Sequence, residues 1–563
     1  MFAPHDNYID FYPDAEGYSY RHIAFTNTGA PIRAWLNEGR DAQSYRWRAD
    51  TLEPFLERNV AWMRDTIAPT GYFIDVWSSI GPYDYWTHDG QFFTKAYTRT
   101  RWGEFFAYIR DQFGGNAPQI SESGHDQLIG WLDGAQTNHL RVDAHPTGES
   151  WTTWRITCKD AERVPWFDTA HHDRFVLHGA GYSSRYQGGL DGALHGIYSD
   201  DYIATEVLTG HPAMVPVPFG RDVVRKYWLL HDLMRALALE RIDSVEFADG
   251  DMHRQYVRWQ NGAEVWMNRG ADDWSVGDHV LPQYGFFARV GDVEAAIERL
   301  DGVIAEWSRG PGGVYVNARP YITAKRPIRV SVESVEYLGE RACEVTLQWQ
   351  ADKPLDQDCR VFVHGVDAGG EILFQGDHDA PVPTTQWQGV VSSTARLVLP
   401  KDATAGTAFE LRVGLYVSGG ARVPIEGTDD GQTRIRLGTL MLVGDGARID
   451  DVTWNPRPTE PDPLAERFNV TRKAIRFGGI ITDGACRVAV ADDAVVVTPL
   501  PESPSFAVRL NYDAMGWTGA VAGRAEALAE DGSVVETIAV RGRGREIGLP
   551  CAADVFAYRL TSE

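Results

Sequence analysis

The sequence is short of cysteine, of clustered basic charge and of long apolar runs, and each shortage removes a class of function. Five cysteines in 563 residues, Cys158, Cys343, Cys359, Cys486 and Cys551, stand far apart with no CxxC pair and no zinc spacing. They are expected to be free thiols, so neither a disulfide framework nor a structural metal site is expected. Lys and Arg total 54 against 78 Asp and Glu, a formal net charge of −24, and basic residues do not cluster anywhere. Such a chain repels nucleic acid and anionic membrane surfaces. No apolar run approaches the roughly 18 residues of a membrane span, and the first twenty positions are polar and aromatic, unlike a signal peptide. Membrane insertion is therefore not expected; localisation stays open, with secretion or a periplasmic location expected only if an N-terminal segment is missing. No GxSxG elbow occurs, which argues against a Ser-His-Asp hydrolase.

What is present is aromatic and modular. The chain is too long for one core, and roughly three or four domains are expected. Its 19 Trp, 23 Tyr and 23 Phe serve mostly as core, but the same content suits sugar binding, where a pyranose face stacks on an aromatic ring. The stretch that organises the chain is Gly71-Tyr-Phe-Ile-Asp-Val-Trp77, followed by Gln119-Ile-Ser-Glu-Ser-Gly124. In each, a strand-like apolar run ends in a carboxylate, Asp75 or Glu122, and a loop follows. Between them Trp102, Phe105, Phe106 and Ile109 share the i, i+3, i+4, i+7 spacing of a helix over Thr98–Phe113. A strand–helix–strand unit is right-handed with parallel strands, so both carboxylates leave the same C-terminal edge. Strands about 4.8 Å apart could hold two carboxyl groups about 5–5.5 Å from each other, the separation of a retaining glycosidase.

Taken in order, His5-Asp6-Asn7-Tyr8-Ile9-Asp10 reads as a strand end dense in polar groups. Residues 49–66 read as a helix with Asp50 as N-cap and Glu53 completing a capping box. Further strands are expected near 134–139, 164–170 and 212–217, with helices near 197–209 and 220–240. This alternation predicts a (β/α)8 TIM-type barrel over 1–241 with its functional edge at the strand C-termini. Only six strands are counted, so either two hide in the irregular stretch 18–48 or the N-terminal part of the barrel is missing. Antiparallel β domains are expected after it: a small one with a helical segment at 292–308 over 242–321, a β-sandwich over 322–446, and a linker with a C-terminal β module over 447–563.

His5-Asp-Asn-Tyr8, Tyr72-Phe-Ile-Asp-Val76, Ser121-Glu-Ser-Gly-His-Asp126, Val164-Pro-Trp-Phe-Asp-Thr-Ala-His-His-Asp173 and Leu281-Pro-Gln-Tyr-Gly-Phe286 together resemble the endo-α-N-acetylgalactosaminidases, their exo-acting relatives and neighbouring glycosidase-like families. The resemblance spans about residues 1–290. It implies a retaining barrel enzyme with Asp75 as nucleophile and Glu122 as acid/base, acting on an α-N-acetylgalactosaminide or α-galactoside-like bond in an oligosaccharide or glycoconjugate, without a cofactor. The chain is expected to lack the first part of that barrel, and it has no Trp in the Ser121–Asp126 segment.

Each candidate has a plainer use. Asp75 could cap a loop or pair with an arginine, and Glu122 could accept backbone hydrogen bonds, with Asp126 as its substitute. His5, Asp6, Asn7 and Tyr8 sit where sugar hydroxyls could be gripped, though Asp6 or Asn7 could equally cap the next segment. Trp77, Asp126, His139, Asp168, His172 and Asp173 complete the expected substrate contacts. His171 and His172 are adjacent on an expected strand and so face opposite ways, which argues against a shared metal. The alternative to an enzyme is a non-catalytic carbohydrate-binding scaffold with a degenerate barrel.

Overall fold

The computed structural model describes residues 2–122, 126–136, 164–178, 197–215, 219–320, 327–367, 369–430, 432–458, 467–491, 494–519 and 521–561. Its N-terminal part is built on five short strands: β1 (His5–Asn7), β5 (Tyr72–Asp75), β8 (Gln119–Ser121), β9 (Gly134–Gln136) and β10 (Val176–His178). All four neighbouring pairs are parallel, and their order in the sheet is their order in the chain. A sheet without a strand-order reversal is singly wound, and all its C-terminal ends lie along one edge. Helices α1 (Glu53–Thr66) and α2 (Lys95–Gln112) connect its first three strands. α2 starts at Thr94, whose hydroxyl accepts from Tyr97 N–H, and buries Trp102, Phe105, Phe106 and Ile109. Trp102 stacks on Trp77 at 5.1 Å with the rings 8° apart, fixing α2 to the loop after β5.

The stretch 18–48 holds two strands, but they are not part of the parallel sheet. β3 (Arg33–Asn37) and β4 (Ala42–Arg46) pair antiparallel, with β2 (Asp10–Phe11) on β4. A hairpin of β6 (Tyr85–Trp86) and β7 (Phe92–Phe93) lies between β5 and α2. Other expectations are corrected here. α1 begins at Glu53 rather than at 49, because the carboxylate of Asp50 is held by Arg48 and the Tyr85 hydroxyl, and Pro54 suits the first helical turn. Residues 164–170, expected as a strand, contain helix α3 (Trp166–His171), which starts just after Pro165 and turns Phe167 and Asp168 inward. Residues 211–215 form no strand.

Two helices follow, α4 (Asp200–Thr209) and α5 (Arg221–Leu237). They pack on a 12-stranded sheet that runs through Ile242–Asn317 and continues into Ala485–Thr561 by pairing Gly313–Asn317 with Ala485–Ala491. The segment expected to be helical at 292–308 is a hairpin, Val293–Leu300 with Val303–Gly310. Its connection is Asp301-Gly302, with φ of 50° and 85°, the two positive values of a type I′ turn. The Asp-Gly pair outweighs an apolar spacing that fits a helix equally well. Strands from Ile328 to Pro456 form a separate two-sheet core, and Asp451–Pro456, expected as linker, is strand paired to Gly438–Val443. The four described cysteines, Cys343, Cys359, Cys486 and Cys551, are free and buried, while Cys158 lies outside the described residues. Among the described residues no helix is long and apolar enough to cross a membrane.

A buried ion network fastens the helices to the large sheet. Arg225 of α5 donates from Nε to both carboxylate oxygens of Glu306 at 2.9 and 3.0 Å. Arg319 forks onto Asp200 at the start of α4 and reaches Glu306 through Nε at 3.1 Å. Arg467 adds a bond to Asp200 at 3.2 Å. Burial opposes ionisation of Asp200, but Arg319, Arg467 and Arg225 outweigh it and bring its carboxyl down to about 2. Glu306 is lowered in the same way, burial being outweighed by Arg225 and Arg319. Both folded-state values lie below the unfolded ones. Their stabilising contribution is therefore complete above the ordinary carboxylate range and is lost as pH falls through it toward about 2. Removing one member leaves buried charge uncompensated, so Arg225→Met should cost about 3–5 kcal/mol at neutral pH. Urea unfolding at pH 7 and pH 3 tests this, and a cost that is small, or equal at both pH values, contradicts the role assigned to the network.

Candidate active site

Register places the polar residues. Asn7 is opposite Asp75 on β1 and β5, and Ile74 is opposite Ser121 on β5 and β8. Asp75 and Glu122 are each the next residue after that last pair. Asn7, Asp75 and Glu122 thus form one row across the C-terminal edge of three adjacent strands, and all three line a cleft of about 660 Å³. Alternation then sorts the faces. Tyr72 and Ile74 are fully buried toward the helices, whereas Phe73 and Asp75 point the other way, with the ring of His5 stacked on Phe73 at 5.3 Å.

Asn7 is the positioning group. Its Oδ1 accepts from the backbone N–H of Ile9 and Asp10 at 2.8 and 3.0 Å. Its Nδ2 donates to Asp10 Oδ2 at 2.9 Å and to Asp75 Oδ2 at 3.2 Å. His5 Nε2 lies 3.4 Å from the same Asp75 oxygen. Both contacts fall on Oδ2; Oδ1 of Asp75 makes none among the described residues. The Asp75 side chain is 22% exposed, whereas Glu122 is 4% exposed. Asp10 in turn ties the hairpin to the sheet, its Oδ1 accepting from Trp35 N–H at 2.9 Å and from the Ser44 hydroxyl at 2.8 Å.

The turn after Asp75 is strained. Val76 has φ of 69°, and Trp77 N–H donates back to Asp75 C=O at 2.9 Å, an i→i+2 bond around a β-branched residue in the left-handed region. Such conformations cost about 1–3 kcal/mol and persist where surroundings over-determine them. Here the surroundings are the buried Trp77 on Trp102, and Ser121 Oγ, which donates to Ile74 C=O at 2.5 Å and accepts from Ser78 N–H at 3.3 Å. The β8 strand therefore helps set the loop after the β5 carboxylate.

The remaining expected contacts fall elsewhere. Asp6 faces away from the cleft, its carboxylate accepting from the hydroxyls of Tyr8 and Tyr72. Burial and that carboxylate push both phenols far up, so both stay donors. Tyr8 and Trp77 are core residues. Asp126 is exposed at the start of a single turn and is not among the cleft's lining side chains. Asp168 is buried, its Oδ1 2.6 Å from Nε2 of His211. Both ring nitrogens of His172 meet backbone carbonyls, Glu240 at 2.6 Å and Gly210 at 3.2 Å, and Asp173 lies 3.7 Å from Arg174. His139 lies outside the described residues. The cleft instead gains a wall from the 18–48 stretch and its approach: Tyr12, Arg33, Trp35 and Arg46, with Asp10 at its foot. Trp35 is half exposed, as a stacking platform for a sugar ring would be.

No protein-family model and no curated protein matches the chain. Among solved structures it is similar to the α-N-acetylgalactosaminidase NagBb of Bifidobacterium bifidum, at 16–17% identity and TM-scores of 0.36–0.37. The overlap takes in 47% of this chain and only 39–40% of the NagBb chain. It is also similar to the isomalto-dextranase of Arthrobacter globiformis T6, at 12% identity over 70% of this chain and 78% of that one, TM-score 0.31. The cycloisomaltooligosaccharide glucanotransferase of Paenibacillus sp. overlaps 99% of this chain and 72% of its own at 8% identity, TM-score 0.28. Overlaps this loose carry no functional weight, and the residues of the cleft have to supply it.

Two substitutions probe the row of polar groups. Asn7→Asp exchanges two donors for an acceptor between Asp10 and Asp75. It should destabilise the fold at pH 7 by about 1–3 kcal/mol and by less near pH 4, where protonation restores a donor. Val76→Gly should relieve the positive φ and leave the melting temperature unchanged or raised while loosening the carboxylate. Thermal unfolding measures both, and a large destabilisation by Val76→Gly contradicts the strain argument.

Proposed function

We infer that the protein is a glycoside hydrolase acting with retention on an α-linked glycoside, of the α-N-acetylgalactosaminide or α-galactoside class. The observation that carries the reading is the pairing of Asp75 and Glu122 one residue beyond a matched parallel pair, inside one cleft. Strands about 4.8 Å apart suit the separation of about 5–5.5 Å used for double displacement better than the 6.5–9.5 Å used to seat a water. The parallel sheet is read as part of a (β/α) barrel, with the cleft at its C-terminal end. The sugar class comes from the motif resemblance alone.

In this mechanism Asp75 attacks the anomeric carbon and Glu122 protonates the departing oxygen. Glu122 then takes a proton from the water that releases the glycosyl-enzyme. The roles follow solvation: the general acid of such pairs sits in the less solvated setting, and Glu122 is the more buried of the two. Asn7 holds Asp75 by Oδ2, which fixes its direction of approach, and Trp35 offers the sugar a stacking face.

Aryl α-glycosides test the assignment. Asp75→Asn should abolish turnover, with a loss of several orders of magnitude. Glu122→Gln should still form the glycosyl-enzyme from an activated aryl leaving group and then stall, slowing release by about 10²–10⁴-fold. NMR of the first product should find the substrate's own anomeric configuration. An inverted product removes Asp75 from the nucleophile role. Binding of sugars without turnover by the unsubstituted protein would favour a carbohydrate-binding scaffold instead.

A further inference from the structure

The cleft carries two guanidinium groups that its carboxylates do not use. Arg33 and Arg46 line the same cavity as Asp75 and Glu122, from the β3–β4 hairpin. Neither forms an ion pair or donates a side-chain hydrogen bond among the described residues. Arg46 lies over the Tyr83 ring at 4.8 Å, an apolar seat that orients the guanidinium without satisfying its N–H groups. Its Nε is buried and makes no hydrogen bond among the described residues, a state that costs about 1–3 kcal/mol. The carboxylate of Asp10, the cross-strand partner of Arg46, accepts from Asn7, the Trp35 N–H and Ser44 and makes no ion pair with Arg46. Elsewhere in this chain arginines meet carboxylates readily, as Arg48 does with Asp50 and Arg225 with Glu306. With 78 acidic residues against 54 basic ones, the cleft nonetheless places two guanidiniums, the exposed Arg33 and the half-buried Arg46, beside its carboxylates.

Guanidinium forks match the geometry of carboxylate, sulfate and phosphate oxygens. We propose that the cleft takes a glycan bearing an oxyanion, held by Arg33 and Arg46 on the hairpin wall while the neutral glycosidic bond faces Asp75 and Glu122. This rests on the glycosidase reading for the sugar and adds the charged substituent. The chain's overall negative charge would repel such a ligand at long range, so recognition depends on close contacts, which salt weakens only in part. The three possible oxyanions share this chemistry and differ in size and charge.

The test is binding, which needs no turnover. The full chain is titrated by calorimetry with methyl α-glycosides of the galacto and gluco series, each as the neutral sugar, the uronic acid, the 6-sulfate and the 6-phosphate. At least one anionic form should bind about tenfold or more tightly than its neutral parent, and so identify the oxyanion. Arg33→Gln and Arg46→Gln should each reduce the advantage, and the double substitution should remove it. Arg46→Lys, which keeps charge but not the fork, should retain part of it and serves if Arg46→Gln does not fold. Asp75→Asn should leave the preference intact. Equal binding of charged and neutral sugars, binding of neither, or a preference that survives the double substitution overturns the proposal. Turnover of neutral aryl glycosides without any preference for charge would overturn it and leave the glycosidase reading standing. Charge-selective binding without turnover of any glycoside would do the reverse.

Discussion

The cleft depends on the in-register pairing of three strands only three or four residues long. A slip of one residue between β1 and β5, or between β5 and β8, would swap the faces of the sheet, turning Asp75 into the core and Ile74 into the cleft. Strands this short have few ladder bonds with which to resist a slip, so side chains fix the register. On the helix side, Tyr72 and Ile74 are fully buried, and the Asp6 carboxylate collects the hydroxyls of Tyr8 and Tyr72. On the β8 side, Ser121 Oγ spans Ile74 and Ser78. A carboxylate with two buried phenols is polar structure inside an apolar layer, and it has no equivalent arrangement one residue away.

From that register the wall of the cleft follows. Asn7 reaches Asp10, Asp10 reaches the backbone of Trp35 and the hydroxyl of Ser44, and so the β3–β4 hairpin is fixed to the carboxylate row through two side chains. The hairpin carries Arg33, Trp35 and Arg46 into the same cavity. The Phe11–Trp47 stack at 3.8 Å anchors the other side of this small sheet to α1 through Phe55. Side chains on the hairpin and carboxylates on the parallel sheet are therefore held in one geometry.

Part of this was legible in the sequence. The α2 face and the two carboxylate-ended strands were readable because each has a single buried side with a clear period. The β3–β4 hairpin was not, because both its faces are half exposed and its burial follows no alternation toward one core. His5, Asp6, Asn7 and Tyr8 read from sequence as one polar cluster, whereas the sheet divides them by parity: His5 and Asn7 to the cleft, Asp6 and Tyr8 to the interior. Aligning Asn7 with Asp75 is the step that makes the division visible, and pairing register is a long-range property. The segment 292–308 shows the opposite difficulty, a helical apolar spacing defeated by one Asp-Gly turn and the strands on either side of it. Asp168 and His172, chemically suited to a site, serve instead to close the joint between α3 and the large sheet's flank, a role set by neighbours distant in sequence such as His211 and Glu240.

The choice of an amide at position 7, in a cleft that also holds guanidiniums, has a physical reason. An arginine in its place would engage Asp75 through both oxygens in a bidentate pair, lowering the availability of the electron pair that the proposed attack requires. A neutral amide donates one bond to Oδ2 and one to Asp10, which fixes the carboxylate plane and uses both donors. Oδ1 is then left without a competing hydrogen bond among the described residues. The guanidiniums are kept apart on the hairpin, Arg46 by its seat on Tyr83, so their charge is available for a ligand without quenching the proposed nucleophile. Separating the two requirements, weak neutral orientation at the carboxylate and strong ionic contact at the wall, is what the Asn7–Asp10 link between sheet and hairpin makes possible.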